Sequence, residues 1–333
     1  MRKLFSVCIS LCVVGLLALS SVSCEKLKIS NLKANSHFKK ANKLYEEEKF
    51  RKAIDEYELA LKLNPKLDKA AFYLGTSYAM VYKPGDTSSR NQLDGEKAKN
   101  QLLKALKLDP KRKEIILALG DIFDKMQNFD EAEKYYLLVQ QNNPKDPKVY
   151  YVLADFYAKY GKNDRAMEMY ENRISLNPSD PEGYQYFATF LQNRKMWDQS
   201  MENHNLRIQH IEQATGMDEK AKNALLTEAY YTLGVVAWNK SYQTPADQMS
   251  PGERLDVVQK GFDALTKASE LDKAFADPWA YMNLLWREKA KAEPLKEKEY
   301  LAKAEECSQK FVQLRRHQQA SEEFMKSLEK MEK

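Results

Sequence analysis

Glycine and proline are scarce, 11 of each in 333 residues, so the punctuation that a many-stranded fold requires is missing. No stretch carries the alternation of a strand. The glycines stand singly, with no G-x-G-x-x-G and no G-x-x-x-x-G-K, which excludes the backbone cradles that hold dinucleotides and phosphates. Histidine is nearly as rare: His37, His204, His210 and His317 are the four. His204 and His210 lie six apart on one predicted helix and face different ways, so they do not share a metal. Neither H-E-x-x-H nor G-x-S-x-G occurs. Carboxylates are plentiful, but almost all fall on outward helix faces, where solvated charge is their ordinary role. The sequence therefore predicts no enzyme, no cofactor, no metal and no small-molecule substrate.

Cysteine is short as well, and where it stands is informative. Of the four, Cys8 and Cys12 lie in an uncharged apolar run, Leu4 to Leu19, that follows Arg2 and Lys3 and leads through Ser20 to Ser23 into Cys24. This order predicts a secretory signal over residues 1–23. It resembles a bacterial lipoprotein signal, which implies that Cys24 is lipidated and becomes the new N-terminus; one departure is Ser21, where such signals usually have Leu. Ordinary cleavage before Cys24 and an uncleaved membrane anchor are the alternatives. The expected location is the bacterial envelope, lipid-anchored and facing the periplasm, or else soluble in the periplasm or held in the inner membrane. Cys307 is then left without a partner, as a small apolar residue. Loss of Arg2 and Lys3 leaves 51 basic residues against 48 acidic ones, a net charge of about +3 that asks for no nucleic acid.

What the chain does have is a repeat. Ile116, Leu119, Gly120, Phe123, Ala132, Tyr136 and Pro144 return, 34 residues later, as Tyr150, Leu153, Ala154, Tyr157, Ala166, Tyr170 and Pro178. Leu119, Gly120 and Phe123 share one helical face, and Ala132, Tyr136 and Val139 share another, so each unit is two amphipathic helices. Small residues at offsets 8 and 20 of the period let the two helices approach; large ones at 4, 7, 11 and 24 fill the space beside them. Proline then stops the second helix. One hairpin cannot bury its apolar face alone, so it must stack on neighbours. The pattern resembles the tetratricopeptide repeat (TPR), which implies an all-α TPR solenoid, a right-handed superhelix of stacked helix-turn-helix hairpins.

Taken in order, the expected organisation is a lipidated tether at 24–33, then a TPR array at 34–311 of about seven repeats: 34–67, 68–112, 113–146, 147–180, 181–216, 227–275 and 276–311. A charged C-terminal capping helix follows at 312–333. Pro65 and Pro110 are 45 apart, 11 more than one period, and the surplus is expected as an insertion around Lys83 to Gly95. A second insertion is expected from about Lys240 to Glu253, with Pro245, Pro251 and Gly252 as breakers. Repeat 5 has Ser200, His204 and Arg207 where Ala, an aromatic and Ala are usual.

The resemblance implies a scaffold with no reaction of its own, mediating protein–protein interactions or the assembly of an envelope complex. Alternatives are a pilotin-like assembly factor for a secretin or pilus system, and a regulator or recruiter of a peptidoglycan enzyme. Proteins of this family bind partners on a concave face lined by first-helix residues near offsets 2, 5, 9 and 12. Here those positions give a candidate groove of Phe38, Asn42, Tyr45, Phe72, Thr76, Leu117, Asp121, Tyr151, Asp155 and Tyr231, which would take a protein or peptide. The other reading of the same rings is that they pack against the next hairpin. The clamp by which some members bind chaperone tails is missing, since Phe38, Tyr73 and Glu114 occupy its places.

Overall fold

The computed structural model describes residues 29–331, and among them no strand occurs. The expected signal segment and Cys24 lie outside the described residues. The chain divides after Tyr160 into two compact units. The first holds α1 (29–46), α2 (Phe50–Leu63), α3 (Asp68–Val81), α4 (Ser89–Leu108), α5 (Lys113–Lys125), α6 (Phe129–Asn142) and α7 (Pro147–Lys159). The second holds α8 (Asn163–Leu176), α9 (Pro181–Asn193), α10 (Trp197–Gln213), α11 (Glu219–Gln243), α12 (Pro251–Leu271), α13 (Asp277–Ala292) and α14 (Glu297–Met331). Each unit is a stack of the paired helices that the period predicts, the all-α hairpin fold of a TPR solenoid.

Close approach within each pair rests on the small residue at offset 8. A Cβ on Gly120 would lie 2.5 Å from the ring of Tyr136, one on Gly75 2.7 Å from Leu102, and one on Gly234 2.5 Å from Leu265. Ala53, Ala60, Ala132 and Ala166 have no exposed surface, so two helices meet there at backbone distance. The turns are equally periodic. Gln127, Gly161 and Lys195, spaced by one period, all take the left-handed backbone, with φ of 59°, 70° and 59°, as does Glu48 at 57°. Only one of the four is glycine, so the other three each carry a strain of roughly 1 kcal/mol. At the far end of each pair Asp146 and Asp180 cap the next helix by accepting from Lys148 N and Glu182 N, with Pro147 and Pro181 in its first turn.

Several expected boundaries move. Helix α1 is already formed at residue 29, so 29–33 is not tether: Ser30 Oγ donates to Leu63 O at 2.8 Å, and Ala34 is fully buried. Much of the expected insertion at 83–95 is helix. Ser88 caps α4, and buried Asn91 closes the short loop, accepting from Lys83 N and donating to Lys83 O and Asp86 O, each at 2.8 Å. Gly95 breaks nothing; it admits the ring of Tyr82, 3.0 Å from where its Cβ would stand. The second insertion shortens in the same way. Helix α11 runs to Gln243, and Pro251 opens α12 behind a reciprocal Ser250–Glu253 cap. No break separates an array ending at 311 from a capping helix at 312, because α14 is one helix and no glycine or proline interrupts it.

Candidate binding faces

Nine of the ten groove residues fall in the first unit, on α1 (Phe38, Asn42, Tyr45), α3 (Phe72, Thr76), α5 (Leu117, Asp121) and α7 (Tyr151, Asp155); Tyr231 belongs to α11 in the second. Positions 38, 42 and 45 form one stripe of α1 because they recur at helical spacing. That stripe meets a cluster of rings. Phe38 lies 5.9 Å from Tyr57 and 6.2 Å from Tyr73, Tyr45 meets Tyr73 edge to face at 5.6 Å, and Tyr57 stacks on Tyr73 at 6.0 Å. Tyr57 is fully buried, whereas Phe38, Tyr45 and Tyr73 are half-buried. Burial, with Tyr73 and Tyr45 beside it, pushes the Tyr57 hydroxyl well above its ordinary range.

Phe72 is a correction. Expected on the open face, it is 9% exposed, and the guanidinium of Arg112 lies over its ring at 4.7 Å. Its neighbour Tyr73, rotated by one residue, takes the central place instead. Thr76 is half-buried and spends its hydroxyl on Tyr73 O at 3.1 Å, and Leu117 and Tyr151 are half-buried too.

The polar positions do an internal job first. Asn42 accepts from the Tyr57 hydroxyl at 2.8 Å, and Asp121 accepts from that of Tyr136 at 2.7 Å. Both pairs join offset 9 to offset 24, fifteen residues apart, and tie a hairpin's two helices together. Asp121 is exposed by area yet sunk among neighbouring groups. Lost hydration raises its carboxyl, against the pull of the Tyr136 hydroxyl and Lys125. Beside it Asp124 accepts from Lys159 at 2.8 Å and from the Tyr160 hydroxyl at 2.7 Å, and burial pushes that hydroxyl up to about 12. Asp155 is exposed. Fifteen-residue spacing between an offset-9 acceptor and a tyrosine was the signal available in the sequence for these pairs.

In the second unit, Tyr231 and Phe275 meet edge to face at 5.0 Å and floor a cavity of about 970 Å³ between the start of α11 and the α12–α13 turn. This unit also buries charge that the sequence assigns to solvent. Arg254 and Glu288, 8% and 2% exposed, pair at 3.4 Å, and Lys291 reaches the same carboxylate at 2.5 Å. Arg207 is buried and paired to Glu228. No group of His, Cys, Asp and Glu able to hold a metal occurs among the described residues. No described helix is long and apolar enough to cross a membrane.

Paired helices with small residues at the crossing and tyrosines tied across it give the chain an all-α fold of repeated, TPR-type helical hairpins. Family models for the tetratricopeptide repeat match residues 94–156 and 147–180. No curated protein matches the chain. Among solved structures, it is similar to the MamA protein, at 21% identity and a TM-score of 0.42 over 54% of this chain and 92% of that one. Pseudomonas aeruginosa PilF gives 14% and 0.42 over 75% and 96%. YrrB, described as a TPR protein with an unusual peptide-binding site, gives 17% and 0.38 over 52% and 84%.

Proposed function

We propose that this chain is an exported, lipid-anchored scaffold that holds a protein partner against the half-buried aromatic face of α1 and α3. One observation carries the reading. Phe38, Tyr45 and Tyr73 form a continuous patch of rings around buried Tyr57, each with part of its surface still wet. Rings of this kind supply large area at small entropic cost, and partly wet ones leave area for a partner to cover. Stacked hairpins present such faces as extended binding surfaces. Export and anchoring rest on the sequence alone: Arg2 and Lys3, the apolar run, and the Ser23–Cys24 junction.

Two measurements on cells test this. A labelled fatty acid should enter the parent protein and not Cys24→Ala; equal labelling of both ends the anchoring claim. Cross-linking and pull-down from membranes should retain a partner with the parent chain and lose it with Phe38→Ser/Tyr45→Ser. A double variant that keeps every partner, or one that no longer folds and so reveals the rings as core, overturns the binding face.

A further inference from the structure

We propose that the groove floored by Tyr231 and Phe275 receives a cationic, amphipathic segment of a partner protein, with Lys or Arg spaced between large apolar residues. This rests on the scaffold reading and specifies the chemistry of what is held. The floor is apolar and accessible. Tyr231 and Phe275 are half-buried, Ala224 is exposed, and Leu271 is 36% exposed at the edge. At about 970 Å³ the cavity exceeds any single side chain and suits several residues of a peptide.

Charge selects the occupant. Asp218, Glu219, Glu228 and Asp272 line the groove against Lys220 alone. Glu228 is shared with Arg207, so the surplus is carried by the other three. Two of these are held in place by their own backbone: Asp218 accepts from Ala221 N at 3.0 Å and Asp272 from Ala274 N at 2.9 Å, each through one oxygen, with the other available to a ligand. The two helix ends at the groove are the N-terminus of α11 and the C-terminus of α12, whose partial charges oppose each other and leave the carboxylates to decide. Tyr and Phe faces add attraction for Lys or Arg. The mature chain, with 51 basic residues against 48 acidic ones, is still net positive, so its long-range field disfavours a cation. A preference for one is then a property of the groove.

Fluorescence anisotropy on the mature chain, residues 24–333 with Cys24→Ala so that it carries no lipid, provides the test, with a short peptide alternating Lys and Leu and its twin carrying Glu for every Lys. The basic peptide should bind more tightly than its twin, and the more so at low salt. Glu219→Lys with Asp272→Asn, both at exposed positions and the Asn keeping the turn acceptor for Ala274 N, should weaken it about tenfold. Phe275→Ser, checked for folding by circular dichroism, should weaken it also. Equal binding of the twins, preference for the acidic one, or unchanged binding by the charge variant overturns the proposal. If membranes still yield a partner that depends on Phe38 and Tyr45 while the groove variants change nothing, the scaffold stands and the cationic groove falls.

Discussion

His204 should make this protein lose stability on mild acidification, and replacing it should remove that loss. The residue stands on α10 at offset 24 of the fifth repeat, where Tyr57, Tyr136 and Tyr170 stand in theirs. It is 1% exposed, and neither ring nitrogen has a hydrogen-bond partner. Burial, and then the neighbouring charge of Arg207, lower its pKa from 6.5 to about 4. Between those values the unfolded chain binds a proton at this site and the folded chain does not. Stability therefore falls as pH drops below 6.5, at about 1.4 kcal/mol per pH unit. That amounts to roughly 2 kcal/mol by pH 5 and about 3 kcal/mol by pH 4. His204→Phe restores the aromatic position and removes a buried group with no partner, a gain at neutral pH of about 1–3 kcal/mol. Carboxylates titrate in both proteins, so the difference between their melting curves isolates the histidine. At roughly 2–4 °C per kcal/mol, thermal melts by circular dichroism resolve it. The same pH slope in parent and variant, or a variant less stable at neutral pH, refutes the reasoning.

Gly120→Ala should lower the melting temperature, because the new methyl would stand 2.5 Å from a Tyr136 ring whose hydroxyl is tied to Asp121. The clash costs about 1–3 kcal/mol and outweighs a helix-propensity gain of up to about 1 kcal/mol, whereas Gly252→Ala, with nothing within 4 Å, should keep that gain. An unchanged or raised melting temperature for Gly120→Ala counts against the packing. Glu288→Ala should cost about 3–5 kcal/mol by taking the carboxylate from buried Arg254, which keeps the carbonyls of Ser241 and Thr244, while Arg254→Met/Glu288→Leu should recover part of it, since it leaves those carbonyls without their donor; urea titration of the two variants separates loss of a pair from loss of packing.

What the sequence made legible was whatever depends on spacing. Gly120 and Tyr136 sit at offsets 8 and 24, Pro144 and Pro178 close their helices, and the periodic turns at Gln127, Gly161 and Lys195 follow from the same count. Where one residue type has two uses, spacing does not choose between them. Proline breaks a helix within it and opens one at its first turn, so Pro251 reads as a breaker, although Ser250 and Glu253 already spell the cap that starts α12. Glycine loosens a helix or lets a ring approach, and Gly95 does the second. Phe72 and Tyr73 are adjacent on α3, and a rotation of one residue decides which lies under Arg112 and which joins the open cluster. Periodicity fixes that rotation only to within a residue.

The buried charges of the second unit were hidden for a different reason. Ser200 and His204 replace an alanine and an aromatic at the same two offsets, yet their energetic consequences differ. Ser200 is as small as the residue it replaces and donates its hydroxyl to Ala188 O at 2.9 Å, so it stays fully buried with its polar group satisfied. His204 finds no such carbonyl and bears the cost. Arg207, one turn further along α10, reaches Glu228 on the wall of the groove, so a departure from the repeat in one hairpin fixes a carboxylate in the next. A nonpolar residue at 207 would spare the desolvation of a guanidinium and release Glu228. The same offset holds Arg173 in the fourth repeat, which is likewise buried and paired, there to Asp180.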